Sequence, residues 1–170
     1  MKVDTKEKLT RKRLLQQPNW EDWKQSEYKQ LNLYQSQEMF DDPATIPKAN
    51  NTSILPMIWN YLIKNDGTKK ARCVADGSPR QQGSITLANT YAACLEQPGS
   101  CLFWGITALK NLLAFGCDCS NAFAEAPAPK APLYLKIDRS YRQWWEHEKG
   151  GKLPDKDLYV KVNHTIQGHP

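Results

Sequence analysis

The residue whose setting most calls for chemistry is Asp118, an acid inside the apolar stretch Phe115 to Phe123. Burying a lone carboxylate there costs several kcal/mol unless a partner compensates it. If Cys117 to Ser120 is a strand end, alternation turns Asp118 to one face and Cys117 and Cys119 to the other, so the thiols pack inward while the carboxylate opens on a cleft. On the residues alone two roles stay open for Asp118: the cap of a helix starting at Asn121, or a ligand for a hard cation. Lys70 and Arg72 form a second group, because period-2 alternation puts both on one face of a short strand, with Ala71, Cys73 and Ala75 on the other. On composition alone, two such cations are more often a solvated face than a binding site. Cys117 and Cys119 with His164 and His169 offer a metal set, but a C-x-C pair with histidines five apart fits no standard zinc finger. Trp144, Trp145 and His147 read as helix packing, and no chemistry is assigned to them.

The elements that must position these groups follow from periodicity and punctuation. Trp20, Trp23, Tyr28, Leu31 and Tyr34 fall near helical spacing after Pro18 and Asn19, which predicts an amphipathic helix over 18–34. Asp41 to Ser53, with Pro43 and Pro47, reads as a connecting loop. Leu55 to Lys64 and Lys69 to Ala75 read as two strands joined through Asn65, Asp66, Gly67 and Thr68, a hairpin whose Asp-Gly pair tolerates positive φ. Ser100 is placed to cap a helix whose Leu102, Phe103, Ile106, Leu109 and Leu113 form an apolar stripe, the pattern of a core helix. A further helix is expected to start at Asn121 to Glu125, halted by Pro127, Pro129 and Pro132. Leu133 to Ile137 and Leu158 to Val162 read as strands on either side of a Trp144, Trp145 helix and a Gly150, Gly151 turn.

The chain has 170 residues, 40% hydrophobic and 24% charged, enough for one domain and too few for two comfortable cores. Its longest mostly apolar run, Leu102 to Leu109, ends at Lys110, well short of the roughly 20 residues of a membrane span. A transmembrane protein is therefore not expected. Met1 to Leu15 is rich in charge and lacks the apolar stretch of a secretory signal. The chain thus reads as intracellular, cytoplasmic with the nucleus as the other compartment, and the sequons at Asn50, Asn51 and Asn163 as unused. Five cysteines then argue for reduced thiols without bridges. In Met1 to Arg13 six cations against two acids hold +4 of the net +5, so the remainder is close to neutral. Such an arm attracts polyanions, although a frayed, solvated terminus is the commoner outcome.

Four stretches in sequence order carry a resemblance. Phe115-Gly116-Cys117-Asp118-Cys119-Ser120-Asn121-Ala122-Phe123 resembles the first catalytic motif of reverse transcriptases of copia-type retrotransposons, in which an aspartate ends a strand and an aromatic follows five positions later. Trp23 to Leu31 resembles the Trp and Glu helix near the start of that domain. Trp59 to Gly77 resembles its hairpin, with Lys70, Ala71 and Arg72 as the Lys-Ala-Arg signature, and Ile166 to Pro170 resembles the opening of the next polymerase motif. The match covers about 18–170, and four ordered stretches make it specific where one would be weak.

The resemblance implies an α+β fold, a partial right-hand polymerase made of a fingers hairpin and the start of a palm sheet with packing helices. Residues 1–17 would be a basic arm and 18–170 the partial domain. Asp118 would bind catalytic magnesium with the backbone carbonyl of Cys119, an oxygen set suited to a hard cation. Phe123 would be the steric gate beneath the sugar of the incoming nucleotide. Arg72, with Lys70 or Lys64, would reach the triphosphate, a guanidinium fork pairing with phosphate oxygens and an ammonium serving as a point charge. Gln167 and Gly168 would approach the nascent base pair, the glycine letting backbone come close. Implied partners are an RNA template, a DNA primer, deoxynucleoside triphosphates and the rest of the retroelement polyprotein, with no membrane. Departures are visible as well. Cys101 stands where relatives often carry arginine, Cys119 replaces a usual aliphatic, and the family's later paired aspartates are not among these residues, so the chain reads as a fragment. A rival of another class is a noncatalytic nucleic-acid-binding remnant in which Lys70, Arg72, Arg80 and the arm bind phosphates.

Overall fold

A computed structural model describes residues 9–46, 53–78, 95–117, 122, 125–128 and 131–167. Their architecture is mixed α+β, with a four-stranded mixed sheet. In chain order the elements are α1 (Arg11–Leu14), α2 (Trp20–Ser36), β1 (Ser53–Ile63), β2 (Lys69–Ala75), α3 (Gln97–Leu109), β3 (Leu133–Lys136), α4 (Arg139–Lys149) and β4 (Tyr159–Lys161).

The sheet order is β2-β1-β3-β4. The long β1 serves both halves: Ser53 to Pro56 run parallel to Leu133 to Lys136, and Met57 to Ile63 run antiparallel to Ala75 to Lys69. β4 closes the far side antiparallel to β3. Part of the expected connecting loop is built into this side, since Phe40 and Ala44 form bridges to Val162 and Tyr159. Strand alternation turns Leu55, Met57, Cys73, Ala75, Leu133, Leu135 and Val160 to one face, where they meet Tyr28, Leu31 and Tyr34 of α2 and Tyr141 and Trp144 of α4 in the core.

The helix boundaries follow the chemistry of their ends. Asn19 precedes α2, and Glu21 and Asp22 in its first turn suit the positive end of the helix dipole. Asp138 caps α4 by accepting the Tyr141 amide at 2.9 Å, and Gly150 ends it at φ 68°, a left-handed conformation that glycine adopts without Cβ strain.

Three expectations are corrected here. The helix assigned to a cap at Ser100 starts earlier, after Glu96, because Pro98 fits a first turn where no amide is needed; Ser100 lies inside it. More importantly, α3 is not a core helix. It has no buried residue, and Leu109 and Leu113 are 81% and 84% exposed. Trp104 and Ala108 join the stripe, so the helix is apolar nearly all round, and periodicity cannot say which surface covers it. The N-terminal arm also departs from a frayed terminus at its inner end, where α1 forms and Leu14 is fully buried.

Candidate functional site

The hairpin expected to carry the phosphate-binding cations forms with the strand pairing that the sequence suggests. Its tip is a tight turn in which the Gly67 amide donates to the Lys64 carbonyl at 2.9 Å and the Lys64 amide donates to the Thr68 carbonyl at 2.9 Å. Gly67 takes φ 79°, as a three-residue hairpin loop requires of its last position. The Asp66 carboxylate accepts the Thr68 amide at 2.9 Å, and that hydrogen bond holds its carboxyl below the usual range.

Along β2, Ala71, Cys73 and Ala75 are buried, whereas Arg72 is exposed and Lys70 half-buried on the opposite face, level with Asn60 and Leu62 of β1. The two cations therefore share a face, as alternation predicts.

Several groups on the outer edge of β2 are taken up by other segments. The Ser26 hydroxyl donates to the Lys69 carbonyl at 3.1 Å and accepts the Ala71 amide at 2.8 Å. The Tyr34 hydroxyl donates to the Cys73 carbonyl at 2.8 Å. Further along the same edge, the Ala75 amide donates to the carbonyl of Gln167 at 2.9 Å. Side chains of α2 and the backbone of the 164–167 segment thus occupy an edge that would otherwise pair with another strand. Burial pushes the Tyr34 hydroxyl up from its ordinary value, so it meets this edge as a neutral donor, and burial likewise raises the Cys73 thiol, which lies in the core.

Gln167 is half-buried and follows the fully buried Ile166. Two residues earlier, the Thr165 hydroxyl donates to the Pro127 carbonyl at 2.9 Å, which ties this segment to the chain that follows the Asp118 motif. Of the residues proposed to bind nucleotide, Lys70, Arg72 and Gln167 are therefore brought to one strand. Asp118, Cys119, Phe123 and Gly168 lie outside the described residues. Cys117 is described and is exposed without regular structure, so the expectation that its thiol packs inward is not met. Among the described residues no group of three His, Cys, Asp or Glu side chains is arranged to hold a metal ion, and no helix is long and apolar enough to cross a membrane.

A buried polar cluster behind the hairpin went unread in the sequence. Glu27 of α2 is fully buried; it accepts the Arg11 guanidinium at 3.1 Å and the hydroxyls of Tyr61 and Ser140. Arg11 also donates to Gln143 at 3.2 Å and lies over the Trp20 ring at 5.0 Å. Burial, and then the hydrogen bond to Glu27, push the Tyr61 hydroxyl up. Beside this cluster Asp138 accepts the Trp59 indole N–H at 2.9 Å, and burial raises its carboxyl above the usual aspartate value. The one available signal was positional: Glu27 stands four residues from both Trp23 and Leu31, inside the stripe that faces the core.

Comparisons with models of protein families, with curated proteins and with solved structures returned no match to this chain.

Proposed function

We propose that the chain is the fingers and part of the palm of an RNA-directed DNA polymerase of the copia-type retroelement class, working by two-metal nucleotidyl transfer through Asp118. The observation that carries the reading is the hydrogen bond from the Ala75 amide to the Gln167 carbonyl at 2.9 Å. It joins the strand of Arg72 to a segment far along the sequence, and these are the two stretches that resemble the nucleotide-binding hairpin and the opening of the next polymerase motif.

In this reading Arg72 grips the triphosphate as a planar fork, and Lys70 adds charge on the same face. Asp118 and the Cys119 carbonyl would hold magnesium, an oxygen donor set that suits a hard cation, which would supply charge neutralisation at the triphosphate and activation of the primer hydroxyl. Phe123, by its place in the motif, would be the gate against a 2′-hydroxyl. RNA template and DNA primer are the partners.

The test is magnesium-dependent binding of deoxynucleoside triphosphate by the 170-residue chain, followed by primer extension with this chain joined to the part of the domain that carries the family's paired aspartates. Arg72→Ala weakens nucleotide binding about tenfold or more, the value of a charge-assisted pair. Asp118→Asn abolishes incorporation, and Phe123→Ala admits ribonucleotides. Nucleotide binding indifferent to Arg72, or equal incorporation by the parent and Asp118→Asn, overturns the reading. Salt-sensitive binding of nucleic acid with no Arg72-dependent nucleotide site would instead mark a noncatalytic remnant.

A further inference from the structure

α3 and the residues that follow it form a long apolar surface that nothing among the described residues buries. From Gln97 to Cys117 the only charged side chain is Lys110, and exposure of the large apolar residues runs from 47% at Ile106 to 91% at Phe115. Even the Thr107 hydroxyl is spent inside the helix, donating to the Phe103 carbonyl at 2.8 Å. Asn111 ends the helix at φ 50°, and the Leu112 amide closes back on the Thr107 carbonyl at 2.9 Å, which keeps Leu112 and Leu113 beside the last turn. Helix and tail together present on the order of 1,000 Å² of apolar area, above the few hundred that a free monomer usually shows.

Gly105 sits in the middle of this surface, between Leu102 and Leu109. A Cβ added there would meet nothing within 4 Å, so no contact inside the chain requires glycine at a helical position where alanine is more stable. Bare backbone at such a point lets a second helix approach closely.

Area and charge choose the occupant. A stable pair needs roughly 800 Å² from each partner, and this surface supplies that from both copies at once. A bilayer suits it poorly, because the 13 residues of α3 fall short of the roughly 20 that span one, and a helix lying in the interface carries a charged face that α3 lacks. Foreign partners are selected largely by complementary charge, whereas the single cation here has only to be kept from its own copy. Parallel pairing would set the two Lys110 side chains together. An antiparallel crossing at Gly105 holds them about 15 Å apart along the helix axis, beyond the reach of a screened charge.

We propose that the chain forms a two-fold dimer in which α3 of one copy crosses α3 of the other, antiparallel, at Gly105. Leu102, Ile106 and Leu109 pack across the seam, and the Leu112 and Leu113 tail closes over the partner's helix. The pairing goes beyond the polymerase reading and does not depend on it.

Sedimentation of the full chain across the micromolar range tests it, with monomer passing to dimer and no larger species as the expected result. Leu109→Ala weakens association about tenfold or more. It leaves the unfolding midpoint of the dilute chain unchanged, because that side chain is exposed until two copies meet. Gly105→Ala gives the sharper contrast: it raises the helix content of the dilute chain, yet weakens association about tenfold by forcing the crossing apart. Magnesium-dependent nucleotide binding is the same in both variants, so failure of the pairing and failure of the polymerase reading register in separate assays. A chain that stays monomeric throughout, a dimer indifferent to both variants, a dimer strengthened by Gly105→Ala, or growth into open-ended aggregates overturns the pairing. Uptake by phosphatidylcholine vesicles that Ile106→Glu removes, in a chain that shows no dimer, overturns it in favour of a membrane surface.

Discussion

Glu27 is the most constrained side chain in the described structure, because a fully buried carboxylate survives only where donors surround it. Its donors come from 16, 34 and 113 residues away, so no local spacing could have named them. The energetic consequence is asymmetric. Glu27→Ala strands the Arg11 guanidinium and two hydroxyls and costs about 3–5 kcal/mol. Arg11→Ala leaves the Tyr61 and Ser140 hydroxyls on the carboxylate and costs about 1–3 kcal/mol. Thermal unfolding ranks the two, at about 2–4 °C per kcal/mol for a chain of this size. Asp138 gives a pH signature of opposite sense to an ordinary ion-paired acid. Burial raises its folded value, so as pH falls through that value toward the unfolded one near 3.9 the folded state takes up the proton first and gains stability. Asp138→Asn retains a capping side chain but not this titration. Urea midpoints for parent and variant will therefore shift in favour of the parent between neutral pH and about pH 4.

At the scale of elements, legibility tracks locality. The β1–β2 hairpin could be read because both its signals are short-range: Asp66-Gly67 sets the turn and alternation sets the faces. The same holds for α2, where Trp23, Tyr28, Leu31 and Tyr34 are buried as their spacing requires. What could not be read is what closes an edge or covers a face. Nothing in Ser26 or Gln167 announces that they finish the β2 edge, because those contacts are made only when distant segments meet. α3 shows the converse, because a strong apolar stripe can stand on an exposed helix. Substitution separates the two cases. Leu135→Ala in β3 removes a fully buried side chain and costs about 2–5 kcal/mol. Leu109→Ala in α3 removes an exposed one and stays within about 0.5 kcal/mol. Denaturant midpoints for both variants check this. A large cost at Leu109 would mean that α3 is covered in solution.

At the scale of the molecule, the α+β class that the resemblance implies is the class observed, whereas the sheet order had no signal in the sequence. The parallel pair of Ser53 to Pro56 with Leu133 to Lys136 is made between segments on either side of α3, and such pairing leaves no mark on either segment. The boundary of the folded unit escaped the sequence for a similar reason. Charge in Met1 to Arg13 suggested an arm apart from the domain, yet Arg11 bridges Glu27 of α2 and Gln143 of α4, and Leu14 is buried. The inner end of the arm thus joins two helices that also pack against the sheet. Removing residues 1–14 should therefore loosen α2 around Glu27 and α4 around Ser140 together, because both lose the same guanidinium. The Lys64–Thr68 turn, held by its own hydrogen bonds, should be indifferent. Amide hydrogen exchange distinguishes these segments directly. Protection falling at both helices while the hairpin tip is unchanged fits a shared N-terminal clasp, and unaltered helix protection would return residues 1–14 to the solvated tail that their charge suggests.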